Sequence, residues 1–504
     1  MNRGEWSANL SSVEPVAELV FLLALAIPLA RLATDKGLRR RFRAFPPMQA
    51  LITGSLALYL IGIATTAVAL PSALRALSGA GAFLLAINWW QQRAAFGANR
   101  GLPRGSLAYL SAAAWRDPRF YEKQARAHGP VFKFRHIVDP AIGIVGLERI
   151  ASFMRSNEAS LSIPPAPFNR LIPGGFVRYM SGSEHGSVST VLRSAFTPAV
   201  IEACNERFSD YSRAAVDSLS MGQDPCEVID RLVYDEMMLS FLGVERGQTF
   251  DRFVELYEVG DYRSLARTGT MKARAAILDI VREMRSIADA PTGPEKPRSF
   301  LTELATAHPE AIESDSILGN FAYALHTARL DVSGLLVWIL AVLGENPGWV
   351  GTLRTSMAND AADASRVGGL ADRIVRETLR LRQSEFLMRR VREPIEWENV
   401  RIPAGWHVRL CIAESHRSAE SFENPEQFNP DRFLQSQNRA KYSPFGLAPH
   451  LCPGEHLTRA MGKHLAIEIA RSYDIRATGA EPWDFSGFHW RPNPGMKISL
   501  SRVS

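Results

Sequence analysis

Cys452 sits in the run Tyr442-Ser443-Pro444-Phe445-Gly446-Leu447-Ala448-Pro449-His450-Leu451-Cys452-Pro453-Gly454, and this stretch restricts the fold more than any other in the chain. Gly446 and Gly454 relax the backbone on either side, while Pro444, Pro449 and Pro453 stiffen it. Such a loop lets main chain wrap closely around a sulfur. Apolar residues at helical spacing resume at once (Leu457, Met461, Leu465). The sulfur therefore lies just before a helix N-terminus, where the dipole and free amides stabilise a thiolate. A lone cysteine is ordinarily a small buried hydrophobe. One held in a loop like this is suited to bind a metal, and haem iron is the metal that uses a single cysteine in this way.

The rest of the cysteine usage agrees. Four cysteines (Cys204, Cys226, Cys411, Cys452) show no CxxC and no regular spacing, which argues against a disulfide scaffold or a zinc site. The catalytic part is expected to face a reducing compartment. A formal charge of +6 over 504 residues is mild, and no interleaved basic and aromatic patch points to nucleic acid.

The N-terminal part reads as membrane material. Leu19 to Ala30 is apolar but short, and is followed by a basic cluster (Arg31, Lys36, Arg39, Arg40, Arg41, Arg43). About twenty apolar residues span a bilayer, so Met48 to Leu70 qualifies and Leu77 to Trp90 is borderline. Trp89 and Trp90 beside Arg93 suit an interfacial belt. Positive charge marks the cytosolic side, so two or three passes are expected, with the catalytic domain in the cytosol. If the first segment spans, the Asn9-Leu10-Ser11 sequon faces the lumen.

Behind this region, extended segments are predicted near Val131 to Phe134, Ile142 to Val145, Ile395 to Ile402 and Val408 to Ala413. Amphipathic helical runs fill most of the remainder. The longest starts at a Ser314 or Ser316 cap and runs to Gly344, with Pro347 marking its end. The expected fold class is mostly α with small β-sheets. In the helical run Leu370 to Leu381, Glu377 and Arg380 share a face and can pair.

Phe445-x-x-Ala448-x-His450-x-Cys452-x-Gly454 resembles the cysteine loop of the cytochrome P450 haem-thiolate monooxygenases, with Ala448 in place of a glycine and His450 in place of an arginine. Three further motifs resemble the family's in order and spacing. They are Glu377-Thr378-Leu379-Arg380, Phe428-Asn429-Pro430-Asp431-Arg432-Phe433 after Glu414-Ser415-His416-Arg417, and the hinge Gly101-Leu102-Pro103-Arg104-Gly105. The resemblance spans roughly residues 100 to 504. It implies a membrane-anchoring region over 1–98 and a catalytic domain of cytochrome P450 fold over 99–504. It implies haem b held by Cys452, with Phe445 and Gly454 in its cradle, and a buried structural cluster of Glu377, Arg380 and Arg432.

The resemblance also implies cationic partners for the haem propionates: His450, Arg389 (with Arg390 as the alternative) and His185, since Ser189 stands where an arginine is usual. In the long helix the family's acid–alcohol pair is missing. Counted back from Trp338 and Pro347, Leu330 takes the acid position and Asp331 the alcohol position, while His326-Thr327 offers a substitute pair one turn earlier. Thr327 and Asp331 lie on one face as i and i+4.

Two functional readings follow. One is a monooxygenase taking electrons from an NADPH-cytochrome P450 reductase and oxygenating a lipophilic terpenoid, sterol, fatty acid or polyketide, in specialised biosynthesis at the endoplasmic reticulum membrane. The other is a family member without dioxygen activation (peroxide rearrangement, isomerisation or dehydration). A non-catalytic membrane haem protein is a third, from a different class. Arg439, Lys441, His450, Arg459 and Lys463 around the cysteine would suit an acidic reductase.

Overall fold

The computed structural model describes residues 101–503 except 106, 108–113, 115–116, 137–138, 165–168, 170, 181, 262–269, 291–296, 360–363, 384–386, 436–440, 448, 482 and 487–488. The expected membrane segments and the Asn9 sequon lie outside the described residues, as do Ala448 and Arg439.

Helices dominate. Those that shape the site are α1 (Gly182–Ala195), α2 (Asp315–Glu345), α3 (Ala364–Leu381) and α4 (Glu455–Ser472). Ser314 caps α2, its hydroxyl accepting from the Ile317 amide, so the nearer of the two candidate serines starts the helix. The 31 residues of α2 span about 46 Å. Among the described residues α2 alone is long and apolar enough to cross a membrane, yet 83% of its most apolar window is buried inside the protein. It is the core helix, with Phe321, Leu335, Trp338 and Leu340 fully enclosed.

The main sheet has five strands: β1 (Val131–His136), β2 (Asp139–Val145), β3 (Leu161–Ser162), β4 (Leu387–Val391) and, after the short hairpin β5 (Ile395–Trp397) and β6 (Val400–Ile402), β7 (His407–Cys411). Their order is β1-β2-β7-β4-β3, and only β2 and β7 run parallel. Two further two-stranded sheets follow: β8 (Tyr473–Thr478) with β11 (Lys497–Arg502), and β9 (Asp484–Ser486) with β10 (His489–Arg491). The extended segment expected to reach Ala413 stops at Cys411, where the chain turns into a short helix, Ile412–His416.

The 103–105 segment is tied to β1 through Arg104, whose carbonyl accepts from the Lys133 amide at 2.8 Å. Gly105 takes φ +127°, and a Cβ there would meet the Lys133 carbonyl oxygen at 2.1 Å. Gly105→Ala is expected to destabilise by about 1–3 kcal/mol, read as a lowered denaturation midpoint.

Candidate haem-binding site

Glu377, Arg380 and Arg432 come together at the end of α3. Arg380 grips Glu377 with two hydrogen bonds of 2.7 and 2.8 Å, and Arg432 adds a third at 2.9 Å. Both members of the first pair are fully enclosed. The Asn429 amide donates to the same carboxylate at 3.0 Å. The guanidinium groups spend their remaining donors on carbonyls of His416, Gln427 and Glu423, so no charge in the cluster is left without partners.

A relay of hydrogen bonds leads from this cluster to the cysteine loop. Arg380 holds the His416 carbonyl, and His416 Nε2 accepts the Ser443 amide at 3.0 Å. The Ser443 hydroxyl then donates to the Gly446 carbonyl, and the Cys452 amide closes the loop on the Phe445 carbonyl. Gly446 adopts φ +86°, a conformation that favours glycine. Burial beside Arg380 and Arg417 pushes the His416 imidazole down to about 3, with burial the larger cause. Its neutral form is what can accept from Ser443.

The sign of the linked pH dependence follows. Unfolded His416 takes up a proton below its ordinary value of 6.5 while the folded protein does not. Its contribution is therefore present above that value and is lost progressively as pH falls toward 3. His416→Gln is expected to flatten the loss of stability between pH 7 and 5, measured by chemical denaturation at each pH, and to cost about 1–3 kcal/mol at pH 7.

Cys452 lies in the wall of a large cavity together with Phe445 and Gly454. The space between the walls is about 1510 Å³, part of it open to solvent. A Cβ on Gly454 would stand 3.7 Å from the Cys452 sulfur, so glycine leaves the sulfur's approach uncovered. Gly454 also sits at the N-cap of α4, with the free amides of the first turn beginning beyond it.

The same cavity is rimmed by His185, His450, Arg389, Arg178 and Arg193. Arg389 is buried in the wall, whereas Arg390, next along β4, is exposed. Strand alternation separates the two candidates. The rings of His185 and His450 lie 4.0 Å apart. Burial, then His185 and the arginines Arg389, Arg178 and Arg193, push His450 down to about 3. Burial and Arg193 lower His185 as well. The guanidinium groups of Arg389, Arg178 and Arg193 on this rim favour an anionic ligand, as the two propionates of a haem are. The sulfur, the uncovered approach and the basic rim together fit haem.

Two rim residues escaped the sequence reading. Arg193 donates to the Pro449 and Leu451 carbonyls at 2.6 and 3.1 Å, bracing the cysteine loop from α1. It lies eight residues after His185 and four after Ser189, on the same helix face. That spacing was the available signal. Arg178 carries no comparable one.

On α2, Thr327 and Asp331 both line the cavity, together with Ala324, Ala328, Val332 and Leu335. The Thr327 hydroxyl donates back to the Tyr323 carbonyl at 3.0 Å. Leu330 is buried but absent from the cavity lining. His326 is a correction. It is not part of the cavity wall but stacks on Tyr257 with centroids 5.5 Å apart and lies 3.7 Å from an Asp261 carboxylate oxygen. Adjacent helical positions diverge by about 100°, so His326 and Thr327 do not act as a pair toward this cavity.

The expected basic face is also thinner than its composition suggested. Arg459 makes a bidentate pair with Asp372 at 2.8 and 2.7 Å and a further contact with Glu455.

The family model described as Cytochrome P450 matches residues 233–498 of this chain. Abscisic acid 8'-hydroxylase 1 of Arabidopsis thaliana is 24% identical over 415 residues, covering 77% of this chain and 87% of that protein. The protein of the same name from Oryza sativa subsp. japonica is 24% identical over 434 residues, covering 80% and 91%. Among solved structures, the retinoic acid bound cyanobacterial CYP120A1 superposes with a TM-score of 0.66 at 19% identity, covering 80% of this chain and all of that one.

Proposed function

The chain belongs to the cytochrome P450 family of haem-thiolate monooxygenases, and on that premise we propose that Cys452 would hold the haem iron and that a lipophilic isoprenoid is oxygenated. The bound haem would supply the iron at which dioxygen is reduced. Overall, a substrate C–H becomes C–OH, and the second oxygen atom leaves as water, consuming two electrons from NADPH and two protons. The work of this chain's own residues is to orient the haem, exclude water and deliver those protons.

The observation that carries this reading is one cavity that bears Cys452 on the α4 side and Asp331 and Thr327 on α2. Apart from its basic rim, Asp331 and a few polar side chains, that cavity is apolar. Phe176, Phe241, Phe321 and Leu335 shape the space left for substrate. Arg389, His185 and His450, with Arg178 and Arg193, would hold the propionates. Asp331 and Thr327 would pass protons. Support for an isoprenoid substrate comes from the names of the relatives, abscisic acid 8'-hydroxylases, and from the retinoic acid bound fold neighbour. That the named relatives are hydroxylases also favours oxygenation over rearrangement.

The test is a substrate-binding difference spectrum against isoprenoids, sterols, fatty acids and polyketides, followed by reconstitution with NADPH and a reductase. Oxygenated product without added peroxide supports the proposal. Turnover of a hydroperoxide independent of NADPH points to rearrangement instead. The same reading has residues 1–98 anchoring the chain at the endoplasmic reticulum with residues 99–504 facing the cytosol, where a reductase can dock. Protease protection of sites beyond residue 100 within the lumen would contradict that topology.

A further inference from the structure

His489 lines the same cavity as Asp331, and its Nε2 lies 3.3 Å from an Asp331 carboxylate oxygen. The two residues are far apart in sequence, and they meet because the β9–β10 hairpin is fastened to α2 at the two residues that follow His489. Trp338 of α2 donates its indole N–H to the Trp490 carbonyl at 2.8 Å. Arg491 reaches back to the carbonyl of Leu330, the residue before Asp331. From the α3 end, Gln383 donates to the Asp331 carbonyl at 2.6 Å. Three attachments thus fix the backbone around a two-residue ionisable pair in the cavity wall. The His489 side chain is 12% exposed while that of Asp331 is 48% exposed. The imidazole is therefore sheltered, while much of the carboxylate faces open space.

A structural ion pair gains little from such an arrangement, since one partner remains half in the open. A proton-handling pair gains a good deal. The imidazole is the side chain that exchanges protons most readily near neutral pH, and a carboxylate held at its Nε2 can be resupplied after giving a proton away.

We propose that His489 is a positioning residue for Asp331: it orients the carboxyl and re-protonates it, so that an Asp–His dyad stands in for the acid–alcohol pair missing from α2. This inference rests on the reading of Asp331 as a proton carrier. In each cycle the Asp331 carboxyl gives its proton to the oxygen that departs as water. Solvent protonates His489 at Nδ1, the imidazolium passes its Nε2 proton to the carboxylate and is left neutral, and proton exchange with solvent restores the Nε2–H. Two passes supply the two protons consumed, with both electrons coming from NADPH through the reductase, and the dyad returns to its starting state.

The experiment compares wild type, Asp331→Asn and His489→Gln as full-length, haem-loaded protein with a reductase. Glutamine keeps an N–H donor toward Asp331 but does not carry a proton. Both variants are expected to keep the carbon-monoxide difference spectrum and substrate affinity. Both should lose product per NADPH oxidised by roughly tenfold or more, with the electrons appearing as hydrogen peroxide. An Asp331–His489 pair that only latches the hairpin would leave His489→Gln coupled like wild type, which overturns the inference. If Asp331→Asn remains coupled, the reading of Asp331 itself fails.

A second measurement does not depend on turnover. Nitrogen-15 spectra of histidine-labelled, reduced, carbon-monoxide-bound wild type should show His489 protonated at Nε2, the resonance being assigned by its shift in Asp331→Asn. A bare Nε2 leaves no proton to hand to Asp331 and sinks the proposal even if the glutamine variant does not fold.

Discussion

Protein carrying Cys452→Ala is expected to show no red-shifted thiolate band in the carbon-monoxide difference spectrum of the reduced form, and no oxygenation above background. The loop around the sulfur is held by Phe445, Ser443 and Arg193, so the polypeptide can keep its shape while losing the sulfur proposed to hold the iron. The contrast with the other cysteines makes the test selective. Burial, helped by Glu236, pushes the Cys204 thiol up to about 11, and burial raises Cys411 strongly. Thiols of that kind are inert. Cys204→Ala and Cys411→Ala should therefore leave the band in place at reduced stability. A retained thiolate band in Cys452→Ala would move the ligand to another cysteine and undo the proposed site.

Glu377→Gln should be the most damaging substitution outside the cavity. The carboxylate receives hydrogen bonds from Arg380, Arg432 and the Asn429 amide in a fully enclosed position. Neutralising it leaves two guanidinium groups with an uncompensated charge, at a cost of about 3–5 kcal/mol. Folded domains have a net stability of about 5–15 kcal/mol, so this is a large share of the total. The expected result is a much lower urea midpoint and protein that recovers little haem during expression. Arg380→Lys should fail as well, because one ammonium cannot reproduce the bidentate grip on Glu377 together with the bonds to His416 and Gln427. As a control, Asp210→Asn removes an exposed pair with Arg213 and should cost under about 1 kcal/mol.

Local chemistry made part of the site legible in the chain. Glycines and prolines around Cys452 announce a wrapped sulfur. Glu377 and Arg380 are three residues apart on one helix, and Ser314 before an apolar run announces the start of α2. Each rests on neighbours within a turn or a short loop, where backbone geometry leaves few choices. The pairing of His326 with Thr327 failed for the same reason read wrongly. Proximity along a helix is not proximity in space, and the cavity takes Thr327 while Tyr257 takes His326. The choice between Arg389 and Arg390 was open until β4 was paired in its sheet, since alternation has no direction until one face is buried.

What the sequence determined by itself is therefore one chemical group on each of two elements that line the cavity: a cysteine in a stiff loop ahead of a helix, and an acid in the middle of the longest helix. Only the tertiary structure decided what surrounds them. His416 and Arg193 reach the cysteine loop, and His489 reaches Asp331, from distant segments of chain. No spacing rule joins those partners. They meet because helix packing and hairpin docking bury their backbones together, and a buried polar group takes whichever partner the fold brings within reach.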